Sequence, residues 1–124
     1  MTTIQDLELI FKALSDTNRL KLLKLLEEDE RCVCALVEAM GMRQSHVSFH
    51  LGVLKKAGFL NSRKCGKWQN YSLNYKDRRI RFLLFSVLEQ ISLADIQEEH
   101  SRLTAFLQTN KVQIAPKGGT ICKA

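Results

Sequence analysis

Two stretches of helical apolar spacing, joined at a glycine and followed at once by a strand, a basic tip and a second strand, restrict this chain's fold more than any other feature. Residues 30–40, "ERCVCALVEAM", put Val33, Leu36, Val37 and Met40 on one side of a short helix, and Gly41 stands where a left-handed residue ends such a helix. The next stretch, "MRQSHVSFHLGVLKKAGFL", carries Val47, Leu51 and Leu54 as one stripe, with Gln44, Ser45, Ser48, Gly52 and Lys55 opposite. Two short helices around a tight turn, the second with a hydrogen-bonding outer face, describe a helix-turn-helix. "GFLNSRKCGKWQNYSLN" then reads as a hairpin: Phe59 and Leu60 open it, Arg63, Lys64, Gly66 and Lys67 crowd the turn, and Trp68, Tyr71 and Leu73 fill the return. A hairpin with a cationic tip directly after such a helix is a wing, suited to phosphate or minor-groove contact.

Helices flank this centre. "IQDLELIFKAL" spaces Ile4, Leu7, Ile10, Phe11 and Leu14 as one, and "SDTNRLKLLKLL" starts another that either Ser15 or Asp16 can cap. Beyond Asp77, Ile80, Leu83, Leu84, Val87, Leu88 and Ile91 predict a long helix, and Ser92 to Asp95 resembles a capping box opening a short final one toward Leu107. From Thr109 a proline and a Gly-Gly pair predict a flexible tail. The expected organisation is one mainly α domain with a β-hairpin wing over 1–108 and a tail over 109–124.

At 124 residues there is room for one core and hardly for two. No apolar run approaches the roughly 18 to 20 residues of a membrane span, and no Arg or Lys precedes Lys12. The expectation is a cytoplasmic protein without membrane contact, whose Cys32, Cys34, Cys65 and Cys122 are free, metal-binding or redox-reactive rather than a disulfide framework. The net charge of +6 is uneven: residues 31–81 hold eleven basic and two acidic side chains, against a net −3 before them and zero after. Such a basic middle is the footprint of a nucleic-acid binder, although a solvated basic face has the same composition. No Ser/His/Asp set or phosphate-cradling glycine loop is evident, so no enzyme is expected.

The blocks "ALSDTNRLKLLKLL", "CVCALVEAMGM", "QSHVSFHLGVLKKAGFL" and "GKWQNYSLN", in this order between Ala13 and Asn74, resemble the ArsR/SmtB family of metal-sensing repressors. The resemblance implies a winged helix-turn-helix homodimer, paired through its N- and C-terminal helices. It implies binding to double-stranded operator DNA and release when a metal or metalloid binds. Cys32-Val-Cys34 matches the thiol motif of the arsenic and cadmium/lead branches. Val37 stands where the arsenic pattern has its third cysteine, and the zinc pattern of the last long helix is absent, with Asp95-Ile-Gln97 the nearest match.

Thiolates select soft acceptors, so the inducer implied is As(III) or Sb(III), alternatively Cd(II) or Pb(II), with no constitutive cofactor. Thiol oxidation is the rival chemistry, and a DNA-binding protein whose cysteines do nothing is the bland one. On an ideal helix Cys32 and Cys34 lie about 200° apart, so one ion shared by both is expected to unwind or shift the first turn. Arg31 and the helix N-terminus would favour thiolates, opposed by Glu30 and its acidic neighbours. The third ligand has two candidates. Cys122 is on a tail of roughly 20 Å r.m.s. span, and Cys65 is at the wing tip.

By the resemblance and the outward stripe, Gln44, Ser45, His46 and Ser48 are the expected readers of base edges or nearby phosphates, with Lys55 on the backbone. Arg43 replaces the serine that caps this helix in relatives and offers a phosphate contact instead. Arg63, Lys64 and Lys67 are the wing's phosphate candidates, whereas Trp68 and Tyr71 read as hairpin packing. His50 is expected to support packing or touch phosphate, and His100, amid Gln97, Glu98 and Glu99, to be solvated.

Overall fold

The computed structural model describes residues 3–109. Four of the helices begin where a side chain satisfies their first amides. Thr3 and Asp6 form a reciprocal capping box for α1 (Ile4–Leu14), and Asp16 accepts from the Asn18 and Arg19 amides to start α2 (Thr17–Leu25). Then come β1 (Arg31–Cys32), α3 (Val33–Met40), α4 (Gln44–Ala57), β2 (Leu60–Cys65), β3 (Trp68–Leu73) and α5 (Arg78–Gln90), which Asp77 caps. The Ser92–Asp95 capping box is present, opening a 3₁₀ turn (Leu93–Ile96) that runs into α6 (Gln97–Thr109). At thirteen residues α6 is as long as α5, not the short helix expected. Thr109 belongs to it, and the remainder of the expected tail, residues 110–124, lies outside the described residues.

Gly41 ends α3 at φ 64° and Gly58 ends α4 at φ 99°, the left-handed conformation that costs glycine least. Between them α3 and α4 make the helix-turn-helix. Its core is continuous with the rest of the chain: Leu22, Leu23, Leu36, Val47, Leu51, Leu54, Phe59, Ile80, Leu84, Leu88 and Leu103 are all buried in one cluster. Full burial of each such side chain contributes about 1.5–3 kcal/mol, so this cluster fixes α4 against α2 and α3. Arg102 ties α6 to the same unit, donating from Nε to the Ala39 carbonyl at 2.9 Å near the end of α3.

The wing is the hairpin β2–β3, in register from Leu60↔Leu73 to Cys65↔Trp68, turning at Gly66 and Lys67. Sequence periodicity missed its third strand. β1 pairs antiparallel with β3, Arg31 opposite Tyr71 and Cys32 opposite Asn70, giving the order β1-β3-β2. Cys32 is thus extended, at φ −75° and ψ 157°, and the helix expected across residues 30–40 starts only at Val33. The fold is a winged helix-turn-helix with helices on either side.

Candidate functional site

Cys32 and Cys34 straddle the junction between β1 and α3. Cys32 is strand and Cys34 is the second helical residue; their Cα atoms stand 5.3 Å apart and their sulfurs are bonded to each other. Two expectations are corrected here. The thiols are not free, and the 200° separation that demanded unwinding does not arise, since it assumed Cys32 to be helical. Cys32 Sγ also accepts from the Ala35 amide at 3.3 Å, so the sulfur is the N-cap of α3. Cys32 is fully buried and Cys34 half-buried.

Cys34 lines a cleft of about 270 Å³ together with Val33, Gln44, Ser48, Lys67, Trp68 and Tyr71. Its walls therefore come from the start of α3, the first turns of α4 and the tip of the wing. Arg31 is buried beside this region, with one guanidinium nitrogen 3.7 Å from Glu28, and burial holds its pKa below the ordinary value. Asn70, in register with Cys32, is fully buried with neither amide atom bonded within the described residues.

The expected third ligands fare differently. Cys65 ends β2 buried and disulfide-bonded, not exposed at the wing tip, and Cys122 lies outside the described residues. Among the described residues no group of three or more His, Cys, Asp or Glu side chains comes together. Among the described residues the Cys32–Cys34 pair, once reduced, suits thiophilic ions in kind and falls one short of a three-thiolate set.

The outer face of α4 carries Gln44, Ser45, His46, Ser48, Phe49, Gly52, Lys55 and Lys56, all exposed. Arg43 occupies the N-cap with no side-chain cap bond, as its departure from serine implied. Lys55 Nζ donates to Ser62 Oγ at 2.6 Å, linking α4 to the wing. Lys64 and Lys67 are exposed, Lys67 Nζ lying 5.5 Å from the centre of the Trp68 ring. Arg63 sits within β2 opposite Asn70 and forks onto Glu30 with bonds of 2.6 and 2.7 Å, so its charge is already paired.

His50 faces inward. Arg19 Nη1 donates to its Nδ1 at 3.0 Å, which makes Nδ1 an acceptor and the ring neutral. Burial, partly offset by Asp16, holds its pKa below the ordinary value. His100 is 3.2 Å from Glu28, a contact with the acidic loop that the expectation of a solvated residue missed. Sequence reasoning also passed over Phe49 and Lys56, since a search for polar positions skips an aromatic and a count of one stripe leaves out its edge.

A protruding helix with cationic neighbours, flanked by a wing, defines a winged helix-turn-helix transcriptional regulator. Residues 16–62 match the family described as "Bacterial regulatory protein, arsR family". The chain belongs to this ArsR family. It is 37% identical over 75 residues to the arsenical resistance operon repressor of Bacillus subtilis, a match covering 60% of this chain and 70% of that one. It is 45% identical over 62 residues to the cadmium resistance regulatory protein CadC of Listeria innocua, covering 49% of this chain and 52% of that protein, so the chain spans about half of the cadmium regulator. Among solved structures, the homodimeric winged helix-turn-helix domain of a possible ArsR-family regulator from Mycobacterium bovis superposes with a TM-score of 0.62. It is 31% identical, over 78% of this chain and 85% of that one. Among the described residues no helix is long and apolar enough to cross a membrane.

Proposed function

We propose that the chain is a homodimeric repressor that holds operator DNA through α4 and the wing and releases it when a soft inducer takes Cys32 and Cys34. As(III) or Sb(III) is the first choice of inducer and Cd(II) or Pb(II) the second. The observation that carries this reading is the position of the sulfur pair. Its Cys34 lies in the wall of a cleft that is also lined by Gln44, Ser48 and Lys67, three of the proposed DNA contacts. The remaining contacts are Arg43, Ser45, His46, Lys55 and Lys64, with Arg63 available once it leaves Glu30.

Either sulfur becomes a ligand only after the disulfide is reduced, which takes two electrons and two protons. A ligand then held at Cys34 sits between the first turns of α4 and the wing tip and alters how the two are spaced for the duplex. It also competes for the Cys32 lone pair that caps α3. Duplex DNA must weaken inducer binding by the same factor by which inducer weakens DNA binding, a coupling of about 1–3 kcal/mol in allosteric proteins generally. Dimerisation is supported by the apolar side chains left exposed on α1 (Ile4, Leu7, Phe11) and α5 (Phe82, Phe85).

The test is fluorescence anisotropy of the labelled duplex upstream of the gene with fully reduced protein, titrated with arsenite, antimonite, cadmium and lead. Wild type is expected to release DNA with one of these and Cys32→Ser/Cys34→Ser with none. DNA held through all four titrations overturns the inducer reading. The disulfide itself favours a second reading, in which oxidation of the pair changes DNA affinity. Diamide followed by dithiothreitol, without metal, then reverses binding in wild type and not in the double mutant.

A further inference from the structure

We propose that Phe49 is the side chain with which this protein reads a thymine, its ring packing on the 5-methyl group in the major groove of bound DNA. The proposal rests on the DNA-binding reading and adds a specificity residue to it. On α4 the buried positions are Val47, Leu51, Leu54 and Ala57. At 100° per residue the line directly opposite them runs through Ser45, Phe49, Gly52 and Lys56. Phe49 is therefore central on the outward face, and 63% of it is exposed. The other large apolar side chains left exposed lie elsewhere, on α1, on α5 and at Leu93.

The ring is held in place. It meets the His50 ring edge-on, centroids 5.4 Å apart, and His50 is fixed in turn by Arg19. Its neighbours on the outward line are small, Ser45 one turn before and Gly52 one turn after. A Cβ at Gly52 would meet nothing within 4 Å, so nothing inside the protein requires glycine there, and glycine in mid-helix costs about 1 kcal/mol relative to alanine. What glycine provides is clearance for something outside, beside an exposed aromatic ring. Lys55 and Lys56 flank the patch and the surrounding segment carries a net +9, so the occupant is a polyanion with an apolar feature. In the major groove that feature is the thymine methyl, which cytosine lacks.

The test uses the full reduced chain to select binding duplexes from a random pool, then replaces each thymine of the selected site by deoxyuridine. Wild-type affinity is expected to fall about fourfold at one or more thymines, the effect of one buried methyl. Phe49→Ala is expected to bind the thymine and deoxyuridine duplexes alike there, with the salt dependence of wild type, and Phe49→Leu to keep part of the preference. If Phe49→Ala retains the full preference, or if no thymine is sensitive, the proposal is wrong. It is equally wrong if Phe49→Ala instead changes self-association in sedimentation, because the ring then belongs to a protein interface. Failure of wild type to select any duplex would remove the DNA-binding reading itself.

Discussion

Lys55 stands on α4 with its ammonium bonded to Ser62 on the wing, so its charge is held at the seam between the two elements that would flank a duplex. A charge placed there meets phosphate rather than base. Lys55→Ala is expected to weaken every duplex to a similar degree and to reduce the slope of log affinity against log salt by about one, read by anisotropy at several salt concentrations. His50 supplies a stability test. Its folded pKa lies below the ordinary 6.5 because the ring is partly buried. The unfolded chain therefore takes up the proton first as pH falls, and stability is full above about pH 6.5 and declines below it through the folded value. Urea midpoints should fall over that window, and His50→Asn, which keeps an acceptor for Arg19 and does not titrate, should flatten the decline. At this scale the sequence disclosed residue types well and partners poorly. Arg63 looked free because Glu30, which neutralises it, is far away along the chain.

Among elements, β1 was the hardest to read. A two-residue strand has no period of its own, and its pairing with β3 depends on residues far downstream, so "ERCVC" reads as helix until the wing is folded beside it. That one difference brings the sulfurs together. The helices and the hairpin, by contrast, were legible because their signals are local: Asp16 as a cap, the apolar spacing beyond Asp77, Gly41 as a terminator, and the Ser92–Asp95 box. The acidic loop between α2 and β1 acts on the wing through Glu30. Glu30→Gln removes half of the fork that holds Arg63 and returns one cation to the wing. The expected result is tighter binding to non-specific duplex at low salt and a salt slope steeper by about one. An unchanged slope would mean that Arg63 stays out of reach of phosphate even when released.

For the molecule as a whole, the exposed apolar side chains on α1 and α5 set the prediction. Phe82 is 72% exposed and Phe85 59%, and Ile4, Leu7 and Phe11 add a second strip. Phe82→Glu is expected to give a monomer at micromolar concentration in sedimentation and to lose the affinity that a two-half-site operator gains over a single half-site; a mutant that stays dimeric places the interface elsewhere. Arg19 gives this arrangement a mechanical meaning. Its guanidinium grips the last carbonyls of α1, Ala13 at 2.8 Å and Lys12 at 3.2 Å, while also holding His50 on α4. If α1 is the helix that meets the partner, the helix that enters the groove is bolted to the one that fixes the two-fold axis. The pair then works as a caliper with locked jaws. The gap between half-sites is dictated by protein geometry, and an operator with one base pair inserted at its centre is out of gauge, whatever bases it offers.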